Sequence, residues 1–262
     1  MSINALTRDE LKTIVPSAFA THPHESRSNK YSFIPTERII DDLERMDWLP
    51  VTAFQNRSKV NDGFQAHLIR FRNKFAHSEE RYSEIVLLNS HNGRTKCKMF
   101  GGICELVCMN GLILMTNKVD AALNIMHINY QFSHIESIVG KIAEETEAQI
   151  KMANEYSSVF LTEEQKNEMA YSVVKEVFEL EEGVKVDIPS LYAPKRQIQE
   201  NKNDLWTLWN IVQENVMRGG VKFIHPTNKI TTSREVKNVR KELLSNLALW
   251  GILINSYSRV KK

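Results

Sequence analysis

The sequence predicts an α+β protein: an N-terminal antiparallel sheet with helices, followed by a mainly helical C-terminal half. The first observation is an alternation of apolar and polar side chains in several short segments between residues 48 and 99, which is typical of half-buried strands. The second is a series of capping-box sequences from residue 133 onward, each followed by apolar residues at helical spacing. We therefore expect a sheet domain over residues 1–131 and a helical domain over residues 132–262 that packs against it.

Two short helices are expected before the sheet. Thr7 and Glu10 form a capping box that opens a helix, and Pro16 ends it. Thr36 is predicted to cap a second helix, "ERIIDDLERM", whose apolar residues fall on one stripe. The next two segments, "WLPVTAFQNRSKV" and "GFQAHLIRFRN", are rich in β-branched and aromatic residues and are predicted to be strands.

A hairpin is predicted around the Asn92-Gly93 pair, because this dipeptide favours a tight turn between strands. Its strands would be "EIVLLNS" and "RTKCKMF". After Gly101-Gly102 the apolar spacing changes to that of a helix, whose inner face would carry Ile103, Cys104, Val107 and Cys108. Asn110-Gly111 would cap the C-terminus of this helix.

Four helices are expected in the C-terminal half. Capping boxes at Ser133/Glu136 and Thr162/Gln165 open helices near residues 134–156 and 163–181. A third helix, "NDLWTLWNIVQENVMRGG", ends at its glycine pair, and a fourth begins at "TTSREV" and continues to the C-terminus. Three tryptophans on the last two helices are expected to be core residues because they lie at helical spacing among leucines: Trp206, Trp209 and Trp250.

Charge is unevenly distributed, although the formal net charge is only +2. Residues 51–74 contain five Lys or Arg against one Asp, and residues 218–262 contain ten against two Glu. Between them, residues 136–182 contain twelve Glu against four Lys. The basic ends are typical of a surface that faces a polyanion. The alternative is a set of solvated helix faces whose opposite charges pair with one another.

The three cysteines and nearby histidine offer the main case for a metal or nucleophile site. Only Cys104 and Cys108 have the spacing of a zinc-ligand pair, and both share an apolar face, where cysteine acts as a small buried hydrophobe. His67 and His91 are possible bases for a cysteine nucleophile, but nothing places them beside one. No phosphate-binding glycine loop, nucleophile elbow or diagnostic carboxylate pair is present. We therefore predict no catalytic residue, no metal ligand and no cofactor.

A nucleic-acid-binding surface is better supported by the residue pattern. Cations on two predicted strands are interleaved with Phe64, Phe71 and Phe75, and single strands require cations for phosphates and flat side chains for bases. The predicted nucleic-acid-binding residues are Arg57, His67, Arg70, Arg72, Lys74, Arg94, Lys96 and Lys98.

Several strings in the chain closely resemble a known family: "HESRSNKYSFIPT", "AHLIRFR", "LLNSHNG", "GGICELVCMNGL", "NDLWTLWNIVQENVMRGG" and "SNLALW". They resemble the phage/plasmid-like proteins of domain-of-unknown-function family 932, in the branch called uncharacterised protein family 0380. The resemblance covers nearly the whole chain and implies a mobile-element origin and a cytoplasmic location. It brings no established activity and no catalytic residues. The order of predicted elements is also similar, more weakly, to that of single-strand annealing proteins of phages and eukaryotic recombination.

The sequence thus leads us to expect a phage- or plasmid-derived, oligomeric protein that binds or anneals single-stranded DNA without chemistry. The alternative is an anti-defence protein that inhibits a host system by protein–protein binding. A thiol- or metal-dependent nuclease accessory is the third reading. No apolar segment is long enough for a membrane-spanning helix, so we expect no membrane partner.

Overall fold

In its described residues, the N-terminal half of the computed structural model contains two α-helices and a five-stranded sheet. The structure describes residues 4–28, 31–57, 63–75, 81–105, 110–113, 131–195 and 203–261. Helices α1 (Arg8–Ile14) and α2 (Thr36–Arg45) precede strands β1 (Trp48–Gln55), β2 (His67–Asn73), β3 (Arg81–Asn89), β4 (Lys98–Glu105) and β5 (Asn110–Ile113). The strands lie in chain order, β1-β2-β3-β4-β5, and the β1/β2 and β2/β3 pairs are antiparallel. The predicted antiparallel sheet is confirmed.

The C-terminal half is mainly helical, as predicted, and also contains a small sheet. Its elements are α3 (Phe132–Tyr156), α4 (Glu163–Val177), β6 (Lys185–Val186), α5 (Ile188–Leu191), α6 (Leu205–Arg218), β7 (Gly219–Ile224), β8 (Ile230–Arg234) and α7 (Val239–Val260). Strands β6, β7 and β8 form an antiparallel three-stranded sheet. The capping boxes at Thr7 and Thr162 are present, with Glu10 and Gln165 as their partners. Among the described residues, no helix has the length and apolar content needed to cross a bilayer.

The chain divides into two compact units. The first is made from residues within Met1–Cys104 and Ile113–Ala148, and the second from residues within Glu105–Leu112 and Gln149–Lys262. The domain limits expected from the sequence, 1–131 and 132–262, stay a prediction.

Both faces of the central strands of the first unit are buried. One face carries Ile69, Phe71, Ile85 and Leu87, which join a core formed with apolar residues of α1, α2 and the start of α3. The other face of β2 and β3 is also shielded from solvent, and it includes Leu68, Val86 and Leu88. The prediction that these strands are half-buried is therefore wrong for β2 and β3. This burial on both sides decides where the basic side chains of β2 lie.

Two local predictions around the glycines are wrong. Gly101 and Gly102 do not start a helix but lie inside β4, which continues through Ile103 and Cys104. Asn110 and Gly111 begin strand β5 rather than cap a helix, while Val107 and Cys108 lie outside the described residues. A short apolar run fits both periodicities, and the pairing of this segment in the sheet decides in favour of a strand.

Two further predictions are corrected at turns. Asn92-Gly93 does not form a two-residue hairpin turn, because eight residues, 90–97, separate β3 from β4. Gly93 has a φ of 69° while Asn92 keeps a negative φ, whereas the tight turn requires positive values at both positions. The segment "TTSR", expected at the start of the last helix, is strand β8, and α7 begins after its N-cap Asn238.

Candidate nucleic-acid interface

Two of the predicted phosphate-binding arginines, Arg70 and Arg72, are buried beside a carboxylate. They lie on the same face of β2, and Arg72 is paired across the sheet with Glu84 of β3. Glu84 is 1% exposed and accepts from both arginines, at 3.0 Å from Arg70 Nη1 and 2.7 Å from Arg72 Nε. The side chains of Arg70 and Arg72 are 7% and 11% exposed. The carboxylate holds both guanidinium groups against a covered face of the sheet, so they do not line an open groove.

Arg72 has two further contacts that account for its burial. Its Nη2 donates to the Sγ of Cys104 on β4 at 2.8 Å, and its guanidinium lies over the Tyr82 ring, 5.3 Å from the centroid. A planar guanidinium can donate and stack simultaneously, which a lysine cannot do. The expectation that Arg70 and Arg72 are surface cations is thus corrected: both guanidinium groups are engaged within the protein.

His67 is also inside the first unit, in a polar cluster with Ser17, Thr36, His91 and Asn89. His67 Nδ1 lies 2.9 Å from Ser17 Oγ, and its Nε2 lies 2.9 Å from Thr36 Oγ1. The same hydroxyl lies 3.2 Å from His91 Nε2 and accepts from Asn89 Nδ2 at 2.9 Å. All five residues are no more than 3% exposed. The prediction that Thr36 caps α2 is therefore wrong: Pro35 occupies the cap position and the Thr36 hydroxyl serves this cluster.

The contacts define one consistent set of hydrogen bonds with both histidines neutral. His67 Nδ1 donates to Gln65 O at 3.1 Å, so its Nε2 accepts from the Thr36 hydroxyl. That hydroxyl has no second proton, and it therefore accepts from His91 Nε2. Burial, and to a smaller extent the nearby His91, lowers the pKa of His67 to about 3; burial lowers the pKa of His91 to about 4. A neutral, buried His67 offers no charge to a phosphate.

The other predicted cations of the first unit are divided between the two ends of its sheet. Arg57 follows β1, and Arg94 and Lys96 lie in the loop between β3 and β4; all three are exposed. Lys74 follows β2 at the opposite end, where it pairs with Asp47 at 3.3 Å and lies 5.1 Å from the Phe75 ring centroid. Lys98 is half-buried at the start of β4, 5.9 Å from the Phe100 ring centroid. The eight predicted residues therefore do not form one surface.

Two of the three cysteines, Cys97 and Cys104, lie in packed surroundings. Cys97 and Cys104 are each 2% exposed and are not in a disulfide, and Cys97 belongs to the apolar core of the first unit. Burial raises the pKa of the Cys97 thiol to about 12, which disfavours the thiolate needed for nucleophilic attack. Cys108 lies outside the described residues. Within the part of the chain that the structure describes, no group of three or more His, Cys, Asp or Glu is arranged to hold a metal ion.

A basic surface lies on the small sheet of the second unit, and it includes Lys222 and Arg234 of the basic segment 218–262, which the sequence analysis did not name as binding residues. Its exposed face carries Lys185 of β6, Lys222 of β7 and Arg234 of β8. Lys185 is paired with Ile224, two residues from Lys222, and Lys222 is paired with Thr232, two residues from Arg234, so each cation is a diagonal neighbour of the next. Diagonal neighbours of this kind are roughly 7–8 Å apart. The three cations form a diagonal row across the sheet, which we call the cation row.

The cation row is open to solvent. None of its three residues pairs with a carboxylate within the described ranges, including Glu181 and Glu182 of the loop that precedes β6. Exposed apolar side chains lie beside the cations on the same face: Ile230 is 61% exposed and Ile224 is 36% exposed. The opposite face is anchored to the protein, with the Phe223 ring packed edge-on against Phe178 at 5.4 Å. The row is thus held on a packed scaffold.

The hairpin that carries the row is closed by a turn between β7 and β8. His225 and Lys229 are joined by a backbone hydrogen bond of 3.0 Å, and Asn228 adopts a φ of 59°, which asparagine tolerates better than most residues. His225 Nε2 also lies 2.8 Å from Thr231 Oγ1. The Pro226–Asn228 segment was the available signal for this turn, together with the alternation of "VKFIH" and "KITTSR" on either side of it.

Comparison with known proteins places the chain in a family. The family described as "Domain of unknown function (DUF932)" matches residues 23–250. UPF0380 protein YfjQ of Escherichia coli (strain K12) is 30% identical over 257 residues, which cover 94% of this chain and 89% of that protein. UPF0380 protein YafZ of the same strain is 30% identical over 257 residues, with the same coverage. No solved structure matches this chain. The chain belongs to the DUF932 family and is similar to its UPF0380 members.

Proposed function

We propose that this chain is a non-catalytic protein that binds single-stranded nucleic acid, of phage or plasmid origin and acting in the cytoplasm. The observation that carries the proposal is the cation row of the second unit, Lys185, Lys222 and Arg234, whose charges are exposed and have no carboxylate partner among the described residues. A single strand is a chain of phosphates, and such a row neutralises several of them at once.

The chemistry of the row favours backbone contacts over base readout. Lysine and arginine on a solvated sheet face attract phosphates of any sequence. The neighbouring Ile224 and Ile230 provide apolar surface, against which the faces of unstacked bases can pack. The exposed cations of the first unit that the sequence predicted, Arg57, Arg94 and Lys96, remain a second candidate surface. Arg70, Arg72 and His67 do not belong to either surface because their polar groups are engaged inside the protein.

The direct experiment is a titration of purified full-length protein into a labelled oligothymidine at several salt concentrations. Each phosphate contact releases counterions, so the logarithm of affinity is expected to fall with the logarithm of salt by about 0.7 per contact. Three contacts from the cation row alone correspond to a slope of about −2. The annealing form of the proposal further expects the protein to speed the pairing of complementary strands without ATP.

A protein with no salt-dependent affinity for any single strand would overturn the proposal. The inhibitor of a host defence system would then take its place, since that function needs a shape-matched protein surface and no phosphate contacts.

A further inference from the structure

A pocket of about 480 Å³ lies in the second unit, where the first turn of α4, helix α5 and the first turns of α6 meet. This volume falls within the roughly 300–1,000 Å³ of typical small-molecule sites. Half of the lining is apolar and consists of Ile188, Pro189, Pro194, Leu208 and Ile211. Leu208 and Ile211 are 4% and 3% exposed, so the pocket is built on packed residues of α6.

One wall of the pocket carries ring side chains. They are Pro189, Tyr192 and Pro194, which belong to α5 and to the residues that follow it. The Tyr192 hydroxyl donates to Lys166 O of α4 at 2.7 Å, and this hydrogen bond fixes the position of the ring. An aromatic side chain held in this way offers a stacking surface to any nucleobase, since every base has a π-face.

The two charged groups that line the pocket pair with one another. Lys166 Nζ donates to Glu163 Oε1 at 2.8 Å and to Asn203 Oδ1 at 3.4 Å. The other polar side chains of the lining are uncharged, and they include the amide of Asn167. An amide both donates and accepts hydrogen bonds, as the edge of a nucleobase does. The lining therefore suits an uncharged ring with donors and acceptors better than it suits a phosphate.

Helix α5 connects the pocket to the cation row. The backbone N–H of Asp187 donates to Lys222 O at 2.9 Å, and the N–H of Lys222 donates to Ser190 Oγ at 2.8 Å. Lys222 is the central cation of the row, so α5 is attached directly to the strand that carries it. Ile188 of the pocket follows Lys185, the first cation of the row, by three residues, which span at most about 11 Å. A strand whose phosphates contact the row therefore passes close to the pocket.

We propose that this pocket accepts one base of a single strand whose phosphates lie on the cation row. The inference rests on the proposed nucleic-acid binding and adds a base site to it. The base packs against the ring of Tyr192, its edge meets the amide of Asn167, and its phosphate stays with the exposed cations. The two parts of a nucleotide are thus bound by different surfaces: the charge by the row and the ring by the pocket.

The test compares oligothymidine with an abasic strand that has the same length and the same phosphates. Asn167→Trp fills the pocket and is expected to bind oligothymidine about tenfold more weakly than the wild type, because the packing of one base is lost. Its affinity for the abasic strand and its salt slope are expected to be unchanged, because the phosphate contacts remain. Asn255→Trp, the same substitution at an exposed position of α7 outside the pocket, is the matched control and is expected to bind both strands as the wild type does.

A photochemical cross-link tests the site without any substitution. Irradiation of the wild-type protein with an oligothymidine that contains thiothymidine is expected to label the tryptic peptide 186–195, which carries Tyr192. Labels confined to other peptides overturn the inference.

Two further outcomes overturn the inference while the proposed function stands. One is a wild type that binds the abasic strand as tightly as oligothymidine. The other is an Asn167→Trp protein, folded by circular dichroism, that keeps the wild-type affinity for oligothymidine. A wild type that binds neither strand overturns the proposed function, and the inference with it.

Discussion

The two units use their cations in opposite ways. In the first unit, Arg70 and Arg72 point into a covered sheet face and share the carboxylate of Glu84. In the second unit, Lys222 and Arg234 lie on an exposed sheet face with no carboxylate partner within the described residues. Both sheets have basic strands in the sequence, so the difference comes from what covers each face and from the presence of one buried glutamate. A basic strand indicates a phosphate site only when its charges are not already compensated.

The largest effect is expected from removing the compensating carboxylate of the first unit. Glu84→Gln removes the carboxylate that the guanidinium groups of Arg70 and Arg72 share, and breaking a buried ion pair in this way costs about 3–5 kcal/mol. Denaturant unfolding followed by circular dichroism measures the change. The control is Asp47→Asn, which removes the exposed partner of Lys74 and is expected to cost less than about 1 kcal/mol. A small loss for Glu84→Gln would mean that the two arginines reach solvent, and the contrast between the units would disappear.

A similar loss of stability is expected when a buried tryptophan in the helices of the second unit is truncated. Trp206, Trp209 and Trp250 are 4%, 0% and 5% exposed, as the sequence predicted for core residues. Trp250→Ala is expected to lower the free energy of unfolding by about 3–5 kcal/mol, as large core truncations do. If the variant keeps wild-type stability but binds oligothymidine more weakly, the tryptophan is a base-stacking residue and the second unit binds through more than its small sheet.

The buried histidines of the first unit predict a loss of stability that is small near pH 6 and grows as the pH falls. The pKa values of His67 and His91 fall from an ordinary 6.5 to about 3 and about 4 in the folded protein. Between these values and 6.5 the unfolded chain binds more protons than the folded one. Stability is therefore complete above about pH 6.5 and decreases as the pH falls toward 3–4, by up to roughly 1.4 kcal/mol per pH unit for each histidine.

Unfolding midpoints measured between pH 7.5 and pH 4.5 check this expectation. His91→Gln removes one of the two groups and is expected to make the dependence shallower, whereas substitution of the exposed His22 by Gln is the control that leaves it unchanged. A pH-independent stability over this range would show that the cluster accommodates charged histidines, and that the polar groups of the first unit are open to water.

The sequence predicted the elements that depend on local signals and missed those that depend on their neighbours. The capping boxes at Thr7 and Thr162 and the stop at Gly219, whose φ is 80°, need only nearby residues, and the structure confirms them. The role of Thr36 could not be predicted in this way, because its hydroxyl bonds to His67 and Asn89, which are distant in the chain.

The basic site was missed for the same physical reason. Alternation in "HLIRFRN" predicts a strand with one solvated face, but it contains no information on what covers that face. The pairing of Arg72 with Glu84 also depends on the register between β2 and β3. Strand β8, in turn, was included in the prediction of the last helix, and β7 was not predicted, because these short strands lie between two strong helical patterns. A turn signal at Pro226–Asn228 was the evidence that favoured a hairpin.

The most direct test compares two triple variants with equal loss of charge in the salt titration of oligothymidine binding. One replaces the cation row, Lys185, Lys222 and Arg234, by glutamine; the other replaces the exposed cations of the first unit, Arg57, Arg94 and Lys96, by glutamine. We expect the first variant to lose affinity and its salt slope to become shallower by about 2, while the second variant keeps the wild-type slope. A wild-type slope in the first variant with a shallower slope in the second would instead assign the interface to the first unit.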